Sequence, residues 1–119
     1  MRLHDDNRRK YPRADLVVAA EVRCQREQKS FHVRTKNIGA GGICVVLPEM
    51  LPAGTQLRLS LRLPDTDAAF EVAGKVTWTL RQRKLLKKKP GGFDTGIEFV
   101  DIEQQDRDRL IRIAQDYIF

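Results

Sequence analysis

Residues 57–63 read Leu-Arg-Leu-Ser-Leu-Arg-Leu, with Leu57, Leu59, Leu61 and Leu63 alternating with Arg58, Ser60 and Arg62. Side chains of an extended strand point to opposite faces in turn, whereas a helix would scatter these leucines around its circumference. The segment is a strand with one apolar and one wet face, and it cannot stand without a surface to cover it. The same period recurs along the chain. Leu16, Val18, Ala20, Val22 and Cys24 mark a first strand, and Phe31, Val33 and Thr35 alternate with His32, Arg34 and Lys36 in a second. Gly42 to Leu47 forms a third, stopped by Pro48, and the leucine segment is the fourth. In the fifth, Phe70, Val72, Val76, Trp78 and Leu80 are expected inward, with Gly74 allowing a bend on that row. Phe93, Ile97 and Phe99 share a face of the sixth, which runs to Val100.

Between these strands lie turn residues: Gln25 to Lys29, Pro52-Ala53-Gly54 and Pro64 to Asp67, where Asp65 and Asp67 serve the turn. After the sixth strand, Asp101 and Gln104 have capping-box spacing. Leu110, Ile111, Ala114, Tyr117 and Ile118 then recur at helical spacing, predicting an amphipathic C-terminal helix. Six short antiparallel strands bury their apolar faces and remove their edges by closing on themselves. The fold class expected is mainly β, a six-stranded antiparallel β-barrel with a C-terminal α-helix. At 119 residues the chain has room for one such core. It divides into a flexible N-terminal arm, 1–13, and a barrel domain, 14–119.

Catalysis finds little support. Ser30 borders a turn, Ser60 lies mid-strand, His4 sits in the leader and His32 on a wet strand face. No nucleophile is placed beside a base. Cys24 and Cys44 sit in apolar strand sequence and read as reduced, buried residues, and with two histidines they offer no zinc spacing. No apolar run is long enough to span a bilayer and the N-terminus has no signal-peptide core, so a cytoplasmic location is expected. The formal net charge of +6 favours anionic partners. The positive residues gather in Arg8, Arg9, Lys10 and Arg13, and again in Arg81, Arg83, Lys84, Lys87, Lys88 and Lys89. The second group reads as a solvated hairpin loop or a contact for an acidic partner, with Leu85-Leu86 docking on the barrel or the partner.

Two stretches remain. Asn37-Ile38-Gly39-Ala40-Gly41-Gly42 joins two strands through three glycines, either as an ordinary hairpin turn or as a turn presenting an amide and backbone N–H groups to an anion. It is not a dinucleotide fingerprint, because position 44 is Cys44 and a strand, not a helix, follows. Arg8-Arg9-Lys10-Tyr11-Pro12-Arg13 is extended by its proline, as a solvated basic tail or as an arm laid on a surface.

Together the two stretches resemble the PilZ domain family, bacterial receptors for cyclic di-GMP. That family has an R-R-x-x-x-R stretch before the first barrel strand and a [D/N]-x-S-x-x-G turn between the second and third. The chain matches at Asn37 and Gly42 and departs at Gly39, where the family has serine. Val76-Thr77-Trp78 and Gly96-Ile97-Glu98-Phe99 resemble the family's late-strand signatures. The resemblance implies a non-enzymatic receptor in which Arg8, Arg9 and Arg13 hold guanine edges and phosphates, Asn37 fixes a guanine, and Gly39 and Gly42 lie against the ligand. It implies cyclic di-GMP as ligand, as an intercalated dimer, with no metal and no other cofactor. It also implies a protein partner in motility, biofilm or exopolysaccharide pathways. Loss of the serine hydroxyl at Gly39 predicts binding weaker by about ten- to a hundredfold. Two other readings compete: a PilZ-like adaptor that binds no nucleotide, and a small barrel for single-stranded nucleic acid. The latter wants aromatic residues on a wet strand face, whereas Phe31, Phe70, Trp78, Phe93 and Phe99 are all expected inward.

Overall fold

The computed structural model describes residues 13–82 and 91–117. Its strands are β1 (Arg13–Ala14), β2 (Ala19–Cys24), β3 (Lys29–Gly39), β4 (Gly42–Leu47), β5 (Gln56–Leu61), β6 (Phe70–Arg81) and β7 (Phe93–Val100), followed by helix α1 (Gln104–Asp116). Around the ring the order is β3-β2-β5-β6-β7-β4, and β4 pairs back onto β3. The six-stranded antiparallel barrel is thereby closed, as the alternation predicts. The two-residue β1 pairs with β3 beyond the end of β2. Alternate residues fill the barrel: Val22, Ile38, Ile43, Val45, Leu47, Leu59 and Leu61 are all fully buried. A covering helix adds Leu110, Ile113 and Ala114 and packs beside β1 and β3.

The first strand departs from expectation by starting at Ala19 rather than Leu16. In the gap between β1 and β2 the buried Thr35 hydroxyl replaces sheet pairing. It donates to the Leu16 carbonyl at 2.8 Å and accepts from the Val18 N–H at 2.9 Å. The capping box is also corrected. Asp101 adopts φ 56, a left-handed conformation open to Asp, because the chain must turn from β7 onto the helix. Glu103 is the N-cap instead, with no side-chain capping bond. Tyr117 is exposed rather than packed, and Ile118 lies outside the described residues. Asp65 does more than shape a turn: Arg109 of α1 donates to its two oxygens at 2.6 and 2.8 Å and lies over the Phe70 ring. Gly74 faces inward where a Cβ would meet Ile97 and Leu59 side chains, so its vacancy is filled by packing.

The largest correction concerns β6. Trp78 and Leu80, expected inward, are 42% and 63% exposed. Val76 pairs with Ile97 but Trp78 pairs with Gly96, so β6 spends two residues where β7 spends one. This bulge reverses the alternation, and the residues after it exchange faces.

Candidate functional site

A second bulge lies in β3, where Thr35 pairs with Val45 and Asn37 with Cys44. Up to Thr35 the odd-numbered residues face inward. Without the extra residue, Asn37 would follow Phe31, Val33 and Thr35 into the barrel. With it, Lys36 and Asn37 turn outward in succession, and Ile38 resumes the inward row, fully buried. The two bulges meet on one line across the outside of the sheet. Asn37 pairs with Cys44, Cys44 with Gly96, and Gly96 with Trp78. Bulges commonly re-aim side chains beside functional sites, and here two of them do so on the same row.

At one end of the row Arg13 sits opposite Gly39 and reaches diagonally to Asn37, donating from Nη1 to Oδ1 at 3.3 Å. At the other end the Trp78 indole lies over Gly96, so close that any Cβ there would collide with the pyrrole edge. One ring face is thus seated on the sheet while 42% of the residue is open. Cys44, between them, is buried and unpaired by disulfide. Burial pushes its thiol up, Asp94 adds to this, and Lys36, a hydrogen bond from the Thr95 backbone and Arg13 oppose it. The row therefore joins an arginine, an amide and an open aromatic face across a floor of small residues. That combination suits a planar, hydrogen-bonding anion.

Of the residues singled out from the sequence, the structure brings Arg13, Asn37 and Gly39 together, with Gly42 at the start of β4. Arg8 and Arg9 lie outside the described residues, as do Lys10, Tyr11 and positions 83–90 of the basic loop. Gly39, Ala40 and Gly42 are buried, so the turn is folded onto the barrel rather than held out. The Gly41 carbonyl accepts from the Phe99 N–H at 2.9 Å. Positive φ is not what these glycines supply; Gly54 alone among the described glycines has it. Gly42 meets a different need, because a Cβ there would strike the Ile97 carbonyl of β7. Trp78 was missed by sequence reasoning because a bulge leaves no mark in the pattern Thr-Trp-Thr-Leu. His32 is exposed on the outer face of β3, and among the described residues no cluster of three or more His, Cys, Asp or Glu could hold a metal. No helix among them is long and apolar enough to cross a membrane.

The PilZ domain profile matches residues 7–116, and the chain belongs to the PilZ domain family. Solved structures agree in fold. The PilZ domain of Escherichia coli YcgR with c-di-GMP superposes with TM-score 0.73 at 14% identity, over 92% of this chain and 91% of that one. The Bacillus subtilis inhibitor of motility MotI gives TM-score 0.65 at 26% identity, over 92% of this chain and 50% of that one. MrkH, a c-di-GMP-dependent transcription regulator, gives TM-score 0.70 at 16% identity, over 91% and 50%. The chain thus spans about half the length of MotI and of MrkH. No curated protein matches it in sequence.

Proposed function

We propose that this protein is a cyclic di-GMP receptor whose ligand lies on the outer row between the two bulges. The observation that carries the reading is the alignment of Arg13, Asn37 and the open Trp78 face on that row. Cyclic di-GMP has two negative phosphates and two guanines. A guanidinium fork meets the guanine O6 and N7 acceptors or a phosphate in bidentate fashion. Trp78 offers a stacking surface, and base–aromatic stacking is worth about 1–3 kcal/mol per base. Asn37 supplies a donor and an acceptor to a base edge, and Gly39, opposite Arg13, adds no side chain to that end of the row. Arg8 and Arg9 of the leader add further guanidinium groups, enough positive charge for an intercalated ligand dimer.

Binding changes the outer surface, and a protein partner in motility, biofilm or exopolysaccharide pathways reads the change. The YcgR PilZ domain is solved with c-di-GMP, MotI is named an inhibitor of motility, and MrkH is described as c-di-GMP-dependent. These names support a bacterial receptor, which we propose acts in the cytoplasm and is not an enzyme. Gly39 in place of serine favours one other reading, an adaptor that has lost the nucleotide. Calorimetric titration separates them. Saturable heat with cyclic di-GMP, none with GTP, and loss of it in Arg13→Ala and Asn37→Ala support the receptor. Absence of heat with excess ligand leaves the adaptor.

A further inference from the structure

The face proposed above for the ligand carries a carboxylate that the arginine and glycine motifs do not account for. Asp94 lies on β7 two residues before Gly96, on the same outer side, roughly 7 Å along the strand from the seat of the Trp78 ring. It is held from two directions. Lys36, turned outward by the β3 bulge, donates from Nζ to Oδ1 at 3.3 Å and to Oδ2 at 3.2 Å. Gln82, just past the end of β6, donates from Nε2 to Oδ1 at 3.1 Å. The Asp94 side chain is 19% exposed. It is restrained, oriented and still open to a ligand. A partly exposed ion pair of this kind adds only on the order of 1 kcal/mol to stability.

Glu98, two residues past Gly96 on the same side of β7, is exposed, whereas Asp94 is held in place beside Lys36. A fixed carboxylate on an anion-binding row costs affinity unless it meets donors. Guanine has adjacent donors on one edge, the N1–H and the exocyclic N2–H groups. Adenine has a lone pair at N1 and a C2–H where guanine has its N2–H groups, and its one amino group, N6, lies on the far side of N1. We propose that Asp94 selects guanine over adenine on the Trp78 face by accepting from the N1–H and N2–H edge of the stacked base. Lys36 yields its place on the carboxylate and turns to a ligand phosphate, while Gln82 keeps the carboxylate oriented. An adenine in the same position sets its N1 lone pair against Asp94, and such a mismatch rejects the wrong base more strongly than a missing contact does. The inference rests on the receptor reading and names the source of its base specificity.

Calorimetry of wild type and Asp94→Asn with cyclic di-GMP and cyclic di-AMP tests it, with melting temperature as the control for folding. Wild type is expected to prefer cyclic di-GMP at least about tenfold. Asp94→Asn lowers that affinity by about ten- to a hundredfold, the range of a lost hydrogen bond to a charged group. It leaves cyclic di-AMP binding unchanged or tighter, because asparagine offers adenine a donor and an acceptor. If wild type binds cyclic di-GMP and Asp94→Asn binds it equally well, Asp94 is not the selector and only this inference falls. An equal loss for both dinucleotides also overturns it, leaving Asp94 as a cross-strand tie. A wild type that binds neither overturns the receptor reading as well.

Discussion

Thr35 shows how much one side chain can carry. The outer strand edge between β1 and β2 would leave backbone groups unpaired, and its buried hydroxyl serves two of them while its own N–H donates to the Val18 carbonyl at 2.9 Å. Thr35→Val keeps the shape and removes the oxygen. The Val18 N–H and the Leu16 carbonyl then lose their partner, and the expected cost is about 1–3 kcal/mol, read as a lower urea midpoint with an unchanged slope. Asp65 gives a pH-dependent case. The hydrogen bond from Arg109 is the main reason its carboxyl is held below the ordinary value of 3.8. A carboxyl lowered in the folded state stabilises the protein wherever it is ionised in both states. That contribution fades as pH falls from near 3.8 through the lower folded value. Because the pair is partly exposed, it is worth no more than about 1 kcal/mol. The stability gap between wild type and Asp65→Asn should therefore be small at neutral pH and close below that window; a gap that persists in acid contradicts the ion-pair account.

At the scale of elements, the two bulges decide which side chains face outward on the row. Gly96 is the test position, since any side chain there must displace the Trp78 ring. Gly96→Val should weaken cyclic di-GMP binding severalfold or more, and titration at unchanged salt checks it. Gly42→Ala acts on the barrel instead: its Cβ meets the Ile97 backbone, and overpacking of this kind costs about 1–3 kcal/mol. The alternating leucines of β5 and the apolar rows of β4 and β7 made the barrel legible in the sequence, because period two leaves few alternatives. Arg13 and Asn37 were legible as candidates from their motifs. The faces after each bulge were not, because one extra residue inverts the pattern without any change in composition. That is why Trp78 and Leu80 read as core. Asp101 read as a cap for a related reason: the motif spacing was present, but the chain direction after β7 required a left-handed residue there.

For the whole molecule, the closed barrel brings residues distant in sequence onto one outer row: Arg13 from β1, Asn37 from β3, Trp78 from β6. The covering helix packs beside β1 and β3, next to the Arg13 end of that row. With a net charge of +6, affinity for the proposed anionic ligand should fall as ionic strength rises, which titrations at increasing salt measure. Salt-independent affinity would contradict an arginine-held phosphate. Trp78 is the single tryptophan of the chain, so its fluorescence reports on the row directly. Titrated with cyclic di-GMP, wild-type emission should change saturably, and Arg13→Ala should need much higher ligand concentrations for the same change. Ligand bound by calorimetry with no change in Trp78 emission would place it elsewhere on the barrel and contradict the account.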